Sequence, residues 1–139
     1  MRSQPLSLTR SIQHVTAIVH VDDFTGDSVD CAGWANVKAI LHVGAVAGSA
    51  EMEVKLQESA DESTWTDIPG AAFTKVEASN EETQRLLEIY KYDRKRYIRA
   101  VGTYTGDGET DTVLLGVNLE LSFPPDLAEY ATDSYDASV

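Results

Sequence analysis

The sequence predicts an all-β protein: an antiparallel β-sandwich of about eight strands, with either a jelly-roll or an immunoglobulin-like topology. Apolar and polar residues alternate along several short segments, turn residues separate those segments, and no segment has the period of a convincing amphipathic helix. The clearest strand is Thr112–Ser122, because alternate side chains along it are all apolar and would face one core. Those side chains are Val113, Leu115, Val117, Leu119 and Leu121.

The other predicted strands show the same alternation with a period of two residues. In chain order they lie at residues 14–21, 35–43, 51–57, 65–70, 84–90 and 97–104. In the first of them, one face is expected to carry Val15, Ala17, Val19 and Val21. Residues 79–82 resemble a helix cap, but the segment that follows is assigned to a strand because another β segment comes almost at once.

A chain of 139 residues is typical of one domain with its own core. We expect an N-terminal arm at residues 1–10, the sandwich at residues 11–123 and an acidic arm at residues 124–139. The acidic arm contains no lysine or arginine, and its aspartates and glutamates are interspersed with tyrosines. It is either a solvated terminus or an extended arm that lies on a neighbouring subunit.

The chain is strongly acidic, with 23 Asp and Glu against 11 Lys and Arg and a formal net charge of −12. Such a surface repels nucleic acid phosphates and anionic lipid, so neither a nucleic acid nor a membrane is an expected partner. Nevertheless, five basic residues fall between positions 91 and 99. This basic segment is either a turn that pairs with acidic neighbours or a docking patch for an acidic protein surface.

The sequence contains no recognisable catalytic motif, and we expect neither enzymatic activity, a cofactor nor a metal ion. It has no nucleophile elbow and no glycine-rich phosphate loop. His14 and His20 would lie about 20 Å apart along one strand, so all three histidines are expected to be surface or edge residues. The acidic loop at residues 107–111 favours a hairpin turn over a calcium site. Trp65 is expected in the core, and Trp34 is either buried or exposed.

Residues 54–59 (VKLQES), followed by Asp61 and residues 63–68 (STWTDI), resemble a pattern found in small virion proteins of tailed bacteriophages. In those proteins a strand leads through an acidic turn into a Thr-Trp-Thr-Asp step. Residues 96–103 (RYIRAVGT) are similar to the strand that accompanies it, and residues 44–48 also fit. The similarity extends over residues 35–121, whereas the acidic C-terminal extension departs from the shorter members.

This resemblance implies a non-enzymatic virion protein, most specifically a capsid decoration (cement) protein on the outer surface of the phage head, made in the host cytoplasm. Its partner would be the major capsid protein, with neighbouring copies of itself as a second candidate partner. A head–tail connector or tail component, and a carbohydrate-binding module that uses Trp34, are the alternatives. The predicted contact residues are Pro5, Leu6, Leu8, Arg10, Lys91, Arg94, Lys95, Arg96, Arg99, Leu127, Tyr130 and Tyr135.

Overall fold

The structure, a computed structural model, describes residues 9–90 and 94–122. Within these ranges the chain forms nine strands and one short 3₁₀ helix, and no helix is long and apolar enough to cross a membrane. The strands are β1 (Thr9–His20), β2 (Phe24–Thr25), β3 (Val29–Asp30), β4 (Asn36–Ala47), β5 (Glu51–Ser59), β6 (Thr66–Ala72), β7 (Gln84–Tyr90), β8 (Tyr97–Thr105) and β9 (Thr112–Ser122). The 3₁₀ helix spans Ala78–Asn80.

The strands form two antiparallel sheets that pack face to face, which confirms the predicted β-sandwich. One sheet has the order β1-β9-β4-β7, and the other has the order β2-β8-β5-β6 with β3 also paired to β8. If β2 and β3 are taken as one interrupted strand, this is the order of an eight-stranded jelly roll. The jelly roll is therefore the one of the two predicted topologies that the chain adopts.

The core lies between the two sheets and is built from the inward-facing residues of the four central strands. Leu41 of β4 and Leu119 of β9 come from one sheet, and Leu56 of β5 and Ile98 of β8 from the other, all fully buried. The inward set predicted for β9 is confirmed, since each of its five apolar residues is at most 1% exposed. The alternation of apolar and polar residues predicted the buried face of β9 correctly because β9 is paired on both sides, with β1 and β4.

Strand β1 does not have the single apolar face that its sequence predicted. Val15 is buried, but Ala17 is exposed and Val19 is 56% exposed. Pairing with β9 shifts register between Gln13 and Val15 and again between Val15 and Ile18. Each irregularity adds a residue to one strand and so changes the face of every later side chain. The prediction for this face was wrong for that reason.

Strand β6 is longer than predicted, because it starts at Thr66 and continues through Pro69 and Gly70 to Ala72. It is an edge strand, and sheets tolerate a proline on an edge strand because it need not donate a hydrogen bond to a neighbouring strand. Gly70 has a φ of 77°, a conformation that suits glycine, and the pairing of β5 with β6 is irregular between Lys55 and Gln57. The Pro-Gly pair therefore marks a bulge rather than the end of the strand.

The stability of the sandwich is expected to depend on core leucines and not on exposed ones. Leu119 is fully buried, whereas Leu86 of β7 is 57% exposed. The substitution Leu119→Ala should lower the free energy of unfolding by about 2–5 kcal/mol, because it leaves a cavity. Leu86→Ala is the matched control and should change it by less than about 0.5 kcal/mol. Urea denaturation measures both values, and equal losses would contradict this description of the core.

Candidate contact surface at the arm end

The pairing of the first and last strands brings the two ends of the described chain, Thr9 and Ser122, to the same end of the sandwich. Thr9 of β1 lies opposite Ser122 of β9. Strand β1 starts at Thr9, so Arg10 is a strand residue opposite Leu121. Residues 1–8 and 123–139 lie outside the described ranges, but the described chain enters and leaves the sandwich side by side. We call this end, which contains Thr9, Asn36, Arg96 and Ser122, the arm end.

The basic segment lies at the arm end as well. The amide of Ala35 donates a hydrogen bond to the carbonyl of Ser122 (3.2 Å), and the amide of Cys31 donates one to the carbonyl of Arg96 (2.9 Å). Cys31 and Ala35 are close together because the amide of Trp34 bonds to the carbonyl of Cys31 (3.2 Å). Three backbone hydrogen bonds thus connect residues 31–35 with Arg96 and Ser122, which are far apart in the sequence, at one end of the fold.

Several predicted contact residues lie outside the described residues and have no structural account. They are Pro5, Leu6, Leu8, Lys91, Leu127, Tyr130 and Tyr135. The structure places the others, which are Arg10, Arg94, Lys95, Arg96 and Arg99. Arg10 is the second residue of β1, Arg94, Lys95 and Arg96 lead into β8, and Arg99 is the third residue of β8, so all five lie at or near the arm end.

Two arginines of the basic segment are paired with acidic neighbours. Arg96 forms a two-pronged pair with Asp30, with nitrogen–oxygen distances of 2.9 and 2.8 Å, and this carboxylate raises the pKa of Arg96. Arg94 lies 3.5 Å from the Glu58 carboxylate, which also accepts a hydrogen bond from the backbone amide of Lys95 (2.9 Å). Arg94 and Arg96 thus pair with acidic neighbours, as one of the two interpretations of the basic segment predicted. Lys95 itself is exposed.

Trp65 is not a core residue as predicted; it is half-buried beneath Arg99. The guanidinium carbon lies 4.1 Å from the centre of a Trp65 ring, a cation–π contact. Arg99 is fixed there because its Nε donates to Gln57 Oε1 (3.0 Å), and Gln57 in turn donates to Asp67 (3.0 Å). Trp65 immediately precedes the edge strand β6, so its ring lies at the edge of the sheet and not in the core. The long side chain of Arg99 covers the ring there.

Trp34 is also half-buried, and it packs against the hydrophobic core. Its ring therefore contributes apolar packing area next to the connection that joins Cys31 to Ala35. The sequence left the position of this side chain open because a residue between two turns shows no alternation.

The two described histidines of β1 lie on an edge strand, as predicted, but both have buried polar contacts that the sequence did not indicate. His14 Nε2 accepts a hydrogen bond from the amide of Ala100 in β8 (2.9 Å) and so connects the two sheets. His20 is 8% exposed, and its Nε2 donates to the carbonyl of Leu115 at 3.2 Å. Burial lowers the pKa of His14, against a smaller opposing effect of Asp27, and burial also lowers the pKa of His20.

The acidic loop at residues 107–111 forms a turn but not the predicted hairpin, because the strands that it joins, β8 and β9, lie in different sheets. One oxygen of Asp107 accepts hydrogen bonds from the amides of Glu109, Thr110 and Asp111, each 2.9 Å long. Hydrogen bonds from the Thr110 hydroxyl and from these amides hold the pKa of Asp107 well below its usual range. Among residues 9–90 and 94–122, no group of three His, Cys, Asp or Glu side chains is arranged to hold a metal ion.

No protein-family model and no curated protein matches this sequence. Solved structures do match it. The SPBc2 prophage-derived protein YomS has a TM-score of 0.54 and 8% identity, over 88% of this chain and 99% of that one. The PBSX exported protein XepA has a TM-score of 0.55 and 16% identity, over 88% of this chain and 39% of that one.

A chain in the structure of infectious bursal disease virus, Gx strain, matches with a TM-score of 0.53 and 9% identity, over 84% of this chain and 32% of that one. The described sandwich thus corresponds to nearly the whole of one solved chain and to about a third of two longer ones. At these identities the similarity shows a shared fold. The class defined by fold and surface is a jelly-roll protein in which the start of β1, the end of β9 and the described part of the basic segment lie at one end.

The stability of the protein should decrease as the pH falls below about 6.5. His14 and His20 have lowered pKa values in the folded state, so the unfolded chain binds protons first and unfolding becomes easier. Above about pH 7.5 both histidines are neutral in either state and their contribution is complete.

The substitution His14→Gln removes one of these two titrations while keeping an acceptor for the Ala100 amide. The pH dependence of the free energy of unfolding, measured by urea denaturation between about pH 7.5 and 5.5, should become shallower in this variant. A slope as steep as that of the parent protein would contradict the neutral, accepting role of His14. So would an NMR titration midpoint of His14 at or above about 6.5 in the folded protein.

Proposed function

We infer that the chain is a non-enzymatic structural protein of a virion, and most specifically a decoration protein on the outer surface of a tailed-phage head. Its partner is the major capsid protein, with contacts between neighbouring copies also in use. The observation that carries this inference is the convergence of Thr9, Ser122 and the described part of the basic segment at the arm end. The jelly-roll fold is compatible with it, because that fold recurs in viral capsids, although it also serves lectins and enzymes.

The charge of the molecule suits assembly onto an existing lattice. A formal net charge of −12 keeps free copies apart and soluble before they bind. Within this acidic surface, the basic segment is a local exception that can orient the molecule toward an acidic partner. Many symmetric copies, each with modest contacts, then hold firmly through avidity. The proposed role of the arm end is therefore binding rather than catalysis.

The carbohydrate-binding alternative is less well supported by the side chains that would have to carry it. Trp34 packs against the core, and the ring of Trp65 is covered by Arg99. A sugar-binding platform needs an accessible aromatic face. A head–tail connector or tail component is the second candidate, since a surface where the described chain begins and ends serves such a position equally well. The two virion roles differ in copy number, which is high for a decoration protein and low for a connector.

The proposal is tested by binding purified protein to phage heads assembled without it. Removing residues 1–8 and 123–139 should abolish most of the binding, and Lys95→Ala with Arg99→Ala should weaken it by about tenfold. Lys75→Ala with Arg85→Ala is the matched control, because it also removes one lysine and one arginine but away from the arm end. Circular dichroism and a thermal melt establish that each variant is folded.

Two results would contradict the proposal. In the first, the shortened chain binds heads as well as the full chain does. In the second, both charge variants lose affinity equally, which would show a general electrostatic effect rather than a surface at the arm end. The parent protein should also compete with its own variants for the same sites, because a decoration site is saturable.

A further inference from the structure

A row of bonded side chains crosses the outer face of the sheet that contains β8. Arg99 of β8 lies opposite Gln57 of β5, and Gln57 lies opposite Asp67 of β6. Arg99 Nε donates to Gln57 Oε1 (3.0 Å), and Gln57 Nε2 donates to Asp67 Oδ1 (3.0 Å). The row ends at Lys55, whose Nζ lies 2.9 Å from Asp67 Oδ2. Ile98, which precedes Arg99, points into the core, so the row lies on the outward face.

This row holds the guanidinium group of Arg99 in one place. The carbon of the group lies 4.1 Å from the centre of a Trp65 ring, so the ring covers one side of it. Gln57 occupies the Nε–H group from within the sheet. An arginine that is held in this way has lost much of its conformational freedom before a partner arrives, which lowers the cost of binding.

The two terminal nitrogens of Arg99, which we call its fork, are the part of the group that is left for a partner. Among residues 9–90 and 94–122, no hydrogen bond or ion pair engages the fork. Other described arginines differ in this respect. Arg94 and Arg96 each lie against a carboxylate, and the terminal nitrogens of Arg85 donate to two backbone carbonyls.

The carboxylates around the fork are already compensated by other groups. Both oxygens of Asp67 are bonded within the row. Asp30 is held by its two-pronged pair with Arg96, and the exposed Glu62 contributes less than Asp30 to the raised pKa of Arg96. Within the part of the chain that the structure describes, Arg99 is therefore a cation without a counter-ion on an otherwise acidic protein.

We propose that the fork of Arg99 is a carboxylate-binding site, which receives one aspartate or glutamate side chain of an acidic protein surface. The fork matches the two oxygens of a carboxylate, and paired hydrogen bonds between ions are stronger than neutral ones. Gln57 and Trp65 are positioning residues. A nucleic acid, in contrast, would bring many phosphates against a chain of net charge −12. Only the identity of the partner, the capsid, rests on the proposed function.

Titration of the full chain with hexaglutamate, followed by NMR, tests the site directly. The Nε–Hε signal of Arg99 and the indole signal of Trp65 should shift with one saturable dependence on peptide concentration. The corresponding signals of Arg85 and Trp34 are internal controls and should move little. Salt at about 0.15 M screens the net charge of the chain beyond about 8 Å. No shift at Arg99, or equal shifts at Arg85, would overturn the proposal.

Two further probes establish which chemistry the site recognises. Hexaglutamine has no carboxylates and should shift neither signal. Hexathymidylate has a charge similar to that of hexaglutamate but carries it on phosphates, so it should produce smaller shifts at Arg99. A response to hexaglutamine as large as that to hexaglutamate would overturn the role of the carboxylate. A larger response to hexathymidylate would overturn the assignment in favour of a nucleic acid.

The substitution Arg99→Lys separates the fork from its charge. Lysine keeps the positive charge but cannot form the two-pronged contact, so hexaglutamate should bind about fivefold more weakly, as measured at the Trp65 indole. Arg85→Lys is the matched control and should change the affinity by less than about twofold. Circular dichroism establishes that both variants are folded. Equal affinities of the parent and Arg99→Lys would overturn the role of the fork.

The positioning role of Trp65 is tested by two substitutions that differ in the ring. Trp65→Leu frees the guanidinium group and should weaken hexaglutamate binding by about threefold, measured at the Arg99 Nε–Hε signal. Trp65→Tyr keeps an aromatic face and should bind within about twofold of the parent. Equal losses in both variants would contradict a role of the aromatic face in holding Arg99.

Binding of the same variants to phage heads assembled without the protein connects the site to its partner. Arg99→Lys should bind heads about fivefold more weakly than Arg85→Lys does. If the parent and Arg99→Lys bind heads equally well, the carboxylate site is overturned as a capsid contact and the proposed function stands. If the parent does not bind heads but hexaglutamate still shifts the Arg99 signal, the proposed function fails and the site stands.

Discussion

The antiparallel pairing of β1 with β9 is the contact on which the rest of the architecture depends. It joins the beginning and the end of the described chain over Thr9–His20 and Thr112–Ser122, and it places β9 between β1 and β4. Joining two strands over such a sequence separation costs conformational entropy, and extensive apolar contacts must offset that cost. The fully buried side chains of β9 do so, and they anchor the sheet that contains the first and last described residues.

A second set of contacts closes the flank between the two sheets. His14 accepts the amide of Ala100, and the amide of Gly26 donates to the carbonyl of the same residue at 2.8 Å. A Cβ atom at position 26 would collide with the His14 ring, so a glycine is required for this approach. These contacts hold β1 against the sheet that contains β8.

The sequence was most informative where residues follow the simple alternation of a strand paired on both sides. Strand β9 was predicted correctly for this reason, as was the all-β class. The errors arose where alternation breaks: bulges in β1 exposed Val19, and the bulge at Gly70 let β6 continue. Trp65 was misplaced because its cover, Arg99, is more than thirty residues away in sequence. Of the candidate site, the residue types of the basic segment were visible in the sequence. Their position at the arm end and the contact of His14 with Ala100 depend on topology and were not.

The central claim is that this molecule reinforces a viral head through its arm end. Electron cryo-microscopy of the intact particle that contains the chain tests it most directly. The account predicts jelly-roll density at repeated positions over the outside of the head, with Thr9, Arg96 and Ser122 turned toward the capsid lattice. Density restricted to the neck or tail, or an arm end turned toward solvent at every position on the head, would contradict it.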